Sequence, residues 1–127
     1  MTSLKSFEEL DCWKACRELR KTVYVLSKTF PADERYGLVD DIRRAARSTT
    51  HNIAEGYGRF HYKENIQHCR ISRGSLYEVW DQLITAVDEG YINQAQFNSV
   101  KKQIDNTLPL LNGYINYLVS AEAKKKA

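Results

Sequence analysis

Apolar residues recur along this chain every three or four positions, the period of a helix face, and strand-like alternation is weak. Cys12, Cys16, Leu19, Val23, Leu26 and Phe30 mark one face of a first helix. Pro31 ends it, because the residue before a proline is pushed out of helical geometry. Leu38, Ile42, Ala45 and Thr49, widened by Val39, Ala46 and Ile53, mark a second helix, which Gly56 and Gly58 would end by taking positive φ. Ile66, Cys69, Leu76, Trp80, Leu83 and Val87 mark a third, running to Gly90 as the residue past its C-cap. Asn93 and Gln96 read as a capping box for a fourth, whose core face is Phe97, Val100, Ile104, Leu108, Leu111, Ile115 and Leu118. Pro109 lies inside that last stripe and predicts a kink.

Four amphipathic helices with short connections bury their stripes best as an all-α, antiparallel up-down-up-down four-helix bundle. The 127 residues make one domain, with flexible ends at about 1–6 and 120–127. At 43% apolar the composition is globular. Three cysteines and a polar opening without an apolar run predict a cytoplasmic protein with reduced thiols. No apolar stretch approaches the length of a membrane span.

The formal charge of +3 is small, but its placement is uneven. Residues 42–73 carry seven Arg or Lys against two Glu, a net of +5, and the remainder carries twelve against fourteen, a net of −2. Arg44, Arg47, His51 and Glu55 step by three, four and four along the side of the second helix opposite its apolar stripe, with Arg43 beside them. Arg59, His61, Lys63, Arg70 and Arg73 extend the positive region into the following turn and the third helix. A planar guanidinium fork suits phosphate, and Tyr57, Phe60 and Tyr62 supply rings on which unpaired bases stack. The alternatives are a solvated face or a surface that docks an acidic partner.

Asn52 and Glu55 place an amide and a carboxylate at the end of the second helix. An acid there opposes the helix dipole, which predicts a dedicated cation such as Arg47 or Arg59. Gly74 inside the third helix predicts close approach of another helix, with Ser75, Glu78 and Asn52 forming a polar cluster that fixes the end of the second helix against the third near Gly74 and Ser75. Cys12 with Cys16, and His61 with His68, are spaced for metal only on paper, since no second ligand pair recurs. No nucleophile sits in an activating motif, so neither metal, cofactor nor enzymatic activity is expected. Trp13, Tyr24, Tyr77 and Tyr117 fall beside the core stripes, more aromatic surface than a monomer needs.

The string from Arg43 to Ser48, then Asn52-Ile53-Ala54-Glu55-Gly56-Tyr57-Gly58-Arg59, then Ser72-Arg73-Gly74-Ser75-Leu76-Tyr77-Glu78, resembles the bacterial four-helix bundle proteins associated with intervening sequences of 23S ribosomal RNA genes, also labelled S23 ribosomal proteins. Trp13-Lys14, Phe30-Pro31, Glu34 and Tyr36-Gly37-Leu38 match as well, so the likeness runs from about residue 7 to residue 118. The resemblance implies an up-down-up-down bundle assembled as a homopentameric ring. One relative, the accessory variability determinant of diversity-generating retroelements, implies contact with nucleic acid and with a reverse transcriptase through a basic surface. It directs suspicion here to the arginines of the second helix.

Overall fold

A computed structural model describes residues 6–126. The four helices are α1 (Asp11–Ser27), α2 (Leu38–Tyr57), α3 (Tyr62–Asp88) and α4 (Gln94–Lys126), with short 3-10 turns at Phe7–Glu9 and Ala32–Glu34. Among the described residues there is no strand. Each helix packs on its neighbour in sequence, and α4 closes the ring against α1. The pairing order shows that neighbours run antiparallel. Ser27 meets Arg43 while Arg20 meets Thr50, and Ser48 meets Ser75 while Asn52 meets His68. Likewise Asn65 meets Tyr114 while Trp80 meets Lys101. The chain is therefore the four-helix bundle its periodicity predicts.

The core follows the predicted stripes with local shifts. Leu19, Val23, Ile42, Ile53, Leu76, Leu83, Ile104, Leu111 and Leu118 are fully buried. In α3 the inward positions are Cys69, Ser72, Leu76, Val79, Leu83 and Ala86, spaced alternately by three and four. Trp80 and Val87, placed in the core by the sequence pattern, are only half-buried at its edge. Trp80 lies toward α4, where the Lys101 ammonium sits 4.1 Å from its ring centroid. Helix propensity and packing thus share Trp80 between core and surface, as suits a ring too large for the seam.

The glycines divide differently from expectation. Gly58 follows α2 in right-handed geometry, φ −73°, so the second helix does not end in a left-handed glycine. Gly90 alone among the described residues has positive φ, +77°. The Tyr91 N–H donates to the Ala86 carbonyl and the Gly90 N–H to the Val87 carbonyl, which completes a Schellman motif. The capping box forms as predicted: Asn93 N–H donates to Gln96 Oε1, and Gln96 N–H to Asn93 Oδ1, both at 2.8 Å. Pro109 leaves α4 unbroken. It is exposed, so the carbonyl it leaves without a donor can bond to water.

Residues 120–126 continue α4, and the expectation for residues 1–5 and 127 lies outside the described residues. No helix among the described residues is long and apolar enough to cross a membrane.

A link across the end of the bundle escapes the sequence pattern. Glu34 accepts the Leu38 N–H at 3.0 Å, capping α2, and the Tyr91 hydroxyl at 2.7 Å. The first bond holds the Glu34 carboxyl below its usual range. The Glu34 bond pushes the Tyr91 phenol up to about 12, and burial does the same to Tyr114. A phenol whose folded pKa is raised contributes stability below its usual value near 10, which is lost as pH rises toward 12. Absorbance-monitored alkaline titration should therefore show a late phase that shrinks in Tyr91→Phe and again in Tyr114→Phe. A titration identical in both variants and parent would contradict these assignments.

Candidate nucleic-acid interface

The seven basic residues picked out by sequence do not form one patch. Arg43 turns toward α1: its Nε donates to Ser27 Oγ at 2.7 Å, and its guanidinium lies 4.4 Å from the Tyr24 ring centroid. Arg44 is exposed and paired with Asp40 at 2.7 Å on its own helix. Arg47 is exposed and, among the described residues, has no hydrogen-bond or ion-pair partner. Arg59 is held by two carboxylates, Glu55 at 2.9 Å and Glu64 at 3.0 Å. Lys63 and Arg70 are exposed on α3. Arg73 donates to Asn112 Oδ1 at 3.0 Å, so it serves the α3–α4 seam on another side of the bundle.

The polar motif is a network between α2 and α3. Asn52, 9% exposed, donates through Nδ2 to the Ser48 carbonyl and hydroxyl. Its Oδ1 is then the acceptor, which assigns the proton on His68 to Nδ1 at 3.1 Å. Ser75 Oγ donates to Ser48 Oγ at 2.7 Å, and Ser72 Oγ to the Thr49 carbonyl at 2.8 Å. Both serines are buried. Glu55 stands at the outer end, with His51 at 3.2 Å and His68 at 3.6 Å in addition to Arg59. Its hydrogen bond from Arg59, then the two histidines, hold its carboxyl below the usual range. The cation that offsets an acid at a helix end is thus Arg59, not Arg47.

Two members of the motif act elsewhere than expected. Nothing lies within 4 Å of where a Cβ on Gly74 would be, so no helix approaches there. The close approach is at Gly56, where a Cβ would meet Asn65 Oδ1 at 2.8 Å and His68 Cβ at 2.9 Å. Glu78 is exposed and lines a recess of about 390 Å³ with Arg44, Asp41 and Gln82, beside Ser48 rather than bonded to Ser75.

The thiols are chemically quiet. Cys12, Cys16 and Cys69 are free and buried. Burial pushes them up to about 12, 11 and 12, so they stay protonated. No group of three or more His, Cys, Asp or Glu among the described residues is placed to hold a metal ion.

Cations that the sequence reading missed come from α1. Arg20, tethered to Thr50 Oγ1 at 3.0 Å, and Lys21 face Arg43 and Arg47 across the α1–α2 seam. Arg17 lies 5.6 Å from the Trp13 ring centroid. The signal was present: Trp13, Arg17, Arg20, Tyr24 and Lys28 step by four, three, four and four, a flank of α1 beside its apolar stripe.

A solved structure similar to this chain is a protein of unknown function from the S23 ribosomal protein family of Bacteroides thetaiotaomicron. It superposes with a TM-score of 0.73 at 20% identity, covering 82% of this chain and 97% of that one. A comparison of the sequence with curated proteins finds no match. The model of the family described as 23S rRNA-intervening sequence protein matches residues 8–113, almost the whole bundle. With the fold, the Asn52–Glu55 motif and that match in agreement, the chain belongs to the 23S rRNA-intervening sequence protein family.

Proposed function

We propose that this chain is a non-enzymatic, oligomeric scaffold in the cytoplasm that binds nucleic acid, RNA or an RNA–DNA intermediate, through the basic face of α2. The observation that carries the reading is Arg47, an exposed arginine on the side of α2 away from the core, with no partner of its own among the described residues and with Arg20, Lys21 and Arg43 nearby. An unpaired fork among like charges is poised for an anion, and phosphate takes two of its donors at once. The family description, which names 23S rRNA, points the same way.

Oligomerisation is supported by exposed apolar side chains on α3 and α4, namely Ile71, Tyr77 and Ile84 with Leu110 and Tyr117. The homopentameric ring implied by resemblance would repeat the basic face and add weak contacts through avidity. Light scattering should give several times the 14.7 kDa chain mass, and a monomer at micromolar concentration would remove the ring.

The test of binding is a titration against RNA, single-stranded DNA and duplex DNA over a range of salt. Counterion release predicts that affinity falls steeply and log-linearly with salt, with little sequence preference. Arg44→Glu with Arg47→Glu should abolish binding and leave the helical circular dichroism unchanged, since both residues are exposed. The alternative is an adaptor whose basic face docks an acidic protein. Absence of salt-sensitive binding to any RNA or DNA would decide for the adaptor.

A further inference from the structure

The α1–α2 seam carries two adjoining recesses, of about 650 Å³ and about 520 Å³. Arg20 and Arg47 line both, so the two form one groove along the outside of the bundle. Phe7 and Trp13 stand at one end, with His51 and Arg44, and Tyr24 and Val25 stand at the other, with Lys21 and Arg43. Among the described residues no carboxylate lines either recess. The α2–α3 turn is the opposite case, since its one arginine already holds two carboxylates.

We propose that this groove is a site for an unpaired nucleic-acid strand, with phosphates on Arg20, Lys21, Arg43 and Arg47 and bases against Trp13 and Phe7. The inference rests on the nucleic-acid reading above and narrows it to one seam and one form of ligand. Three features carry it. The cations here have donors to spare: among the described residues Arg47 has no partner, Arg20 spends one nitrogen on Thr50, Arg43 spends Nε on Ser27, and Lys21 has an exposed Glu18 carboxylate at 3.7 Å. Those tethers fix two of the forks in place before any ligand arrives, which lowers the ordering cost of binding. Two rings stand together at one end of the groove: Phe7 and Trp13 meet edge to face at 5.2 Å, while at the other end the Tyr24 ring is already covered by Arg43 and Lys28. Aromatic rings beside a positive track are the arrangement that holds single strands without sequence preference.

Shape argues against a duplex. A duplex keeps its bases stacked inside and is read by elements that protrude into its grooves. A concave seam between two helices protrudes into nothing, so a duplex would touch only the rim arginines and leave Trp13 uncovered. The seam from Trp13 to Tyr24 is about 17 Å long, room for a few nucleotides. An acidic peptide would satisfy the cations but leave the rings without a stacking partner.

The test uses the full chain carrying Trp80→Phe, so that Trp13 is the only indole. Oligothymidylate should quench Trp13 emission and bind, by anisotropy, at least about tenfold more tightly than a duplex of equal length. Lys21→Glu with Arg47→Glu, both surface changes, should weaken the single strand by more than about tenfold, and Lys102→Glu on α4 should leave it unchanged. Duplex binding as tight as single strand, with Trp13 emission unmoved, would overturn the inference while leaving nucleic-acid binding in place. So would a larger loss in Arg70→Glu than in the seam variant. Polyglutamate displacing the strand at lower charge concentration would replace the ligand by an acidic peptide. Failure to bind any nucleic acid would overturn the seam and the broader function together.

Discussion

Gly56→Ala is expected to destabilise the bundle by about 1–3 kcal/mol, although alanine is the better helix former by about 1 kcal/mol. The added Cβ would lie 2.8 Å from Asn65 Oδ1, 2.9 Å from His68 Cβ and 3.1 Å from the Asn65 carbonyl. Contacts under 3.0 Å need something to move. Asn65 has little freedom, since its Nδ2 donates to Tyr114 and its Oδ1 accepts the Cys69 thiol at 3.5 Å. The other two atoms belong to, or adjoin, the α3 backbone, so α3 itself must step back. Gly74→Ala is the matched contrast. Its site is open and exposed, so the chain should gain about 0.5–1 kcal/mol from propensity alone. Urea midpoints measure both, and a Gly56→Ala protein as stable as the parent would mean that the seam yields more readily than its geometry implies.

Asn52→Ala should cost about 1–3 kcal/mol, because it removes an acceptor from His68 and two donated bonds to Ser48 in a buried setting. For a chain of this length the expected fall in melting temperature is about 4 °C per kcal/mol. The loss runs through His68, so Asn52→Ala and His68→Ala together should cost less than the sum of the two. A variant that melts like the parent yet loses nucleic-acid binding would move Asn52 from the scaffold to the site.

The fold was legible because each helix carries its own stripe and its own punctuation. Gly90 and the Asn93–Gln96 pair do what their chemistry suggests, whereas α1 ends at Ser27, before Phe30 and Pro31 are reached. The errors came where periodicity admits two neighbours: Val79 and Trp80 both suit the third stripe, and the folded chain buries Val79 fully while leaving Trp80 at the edge. Gly74 was the glycine whose helix-interior position pointed to close approach, and only the path of α3 shows that Gly56 is the crowded one. The candidate site was less legible. A linear tally of charge joined Arg47, Arg59 and Arg73, whereas the bundle sends them to three different places. It also hid Arg20 and Lys21, which are remote in sequence from α2 and meet Arg47 only after α1 folds against it.

The buried polar pairs between α2 and α3 also fix how far one helix can slide along the other. Their apolar stripes repeat every three or four residues and would accept a shift of one turn, about 5.4 Å. The pairs Ser48–Ser75, Thr49–Ser72 and Asn52–His68 would not, since such a shift carries every donor past its acceptor. Each group left unpaired costs about 1–3 kcal/mol, so the polar seam acts as a ratchet pawl on an otherwise smooth interface. Crowding at Gly56 seats the pawl at its far end. The pair of helices is thereby held to a single alignment, and across the other seam the Arg20–Thr50 and Arg43–Ser27 bonds hold the height of α2 against α1.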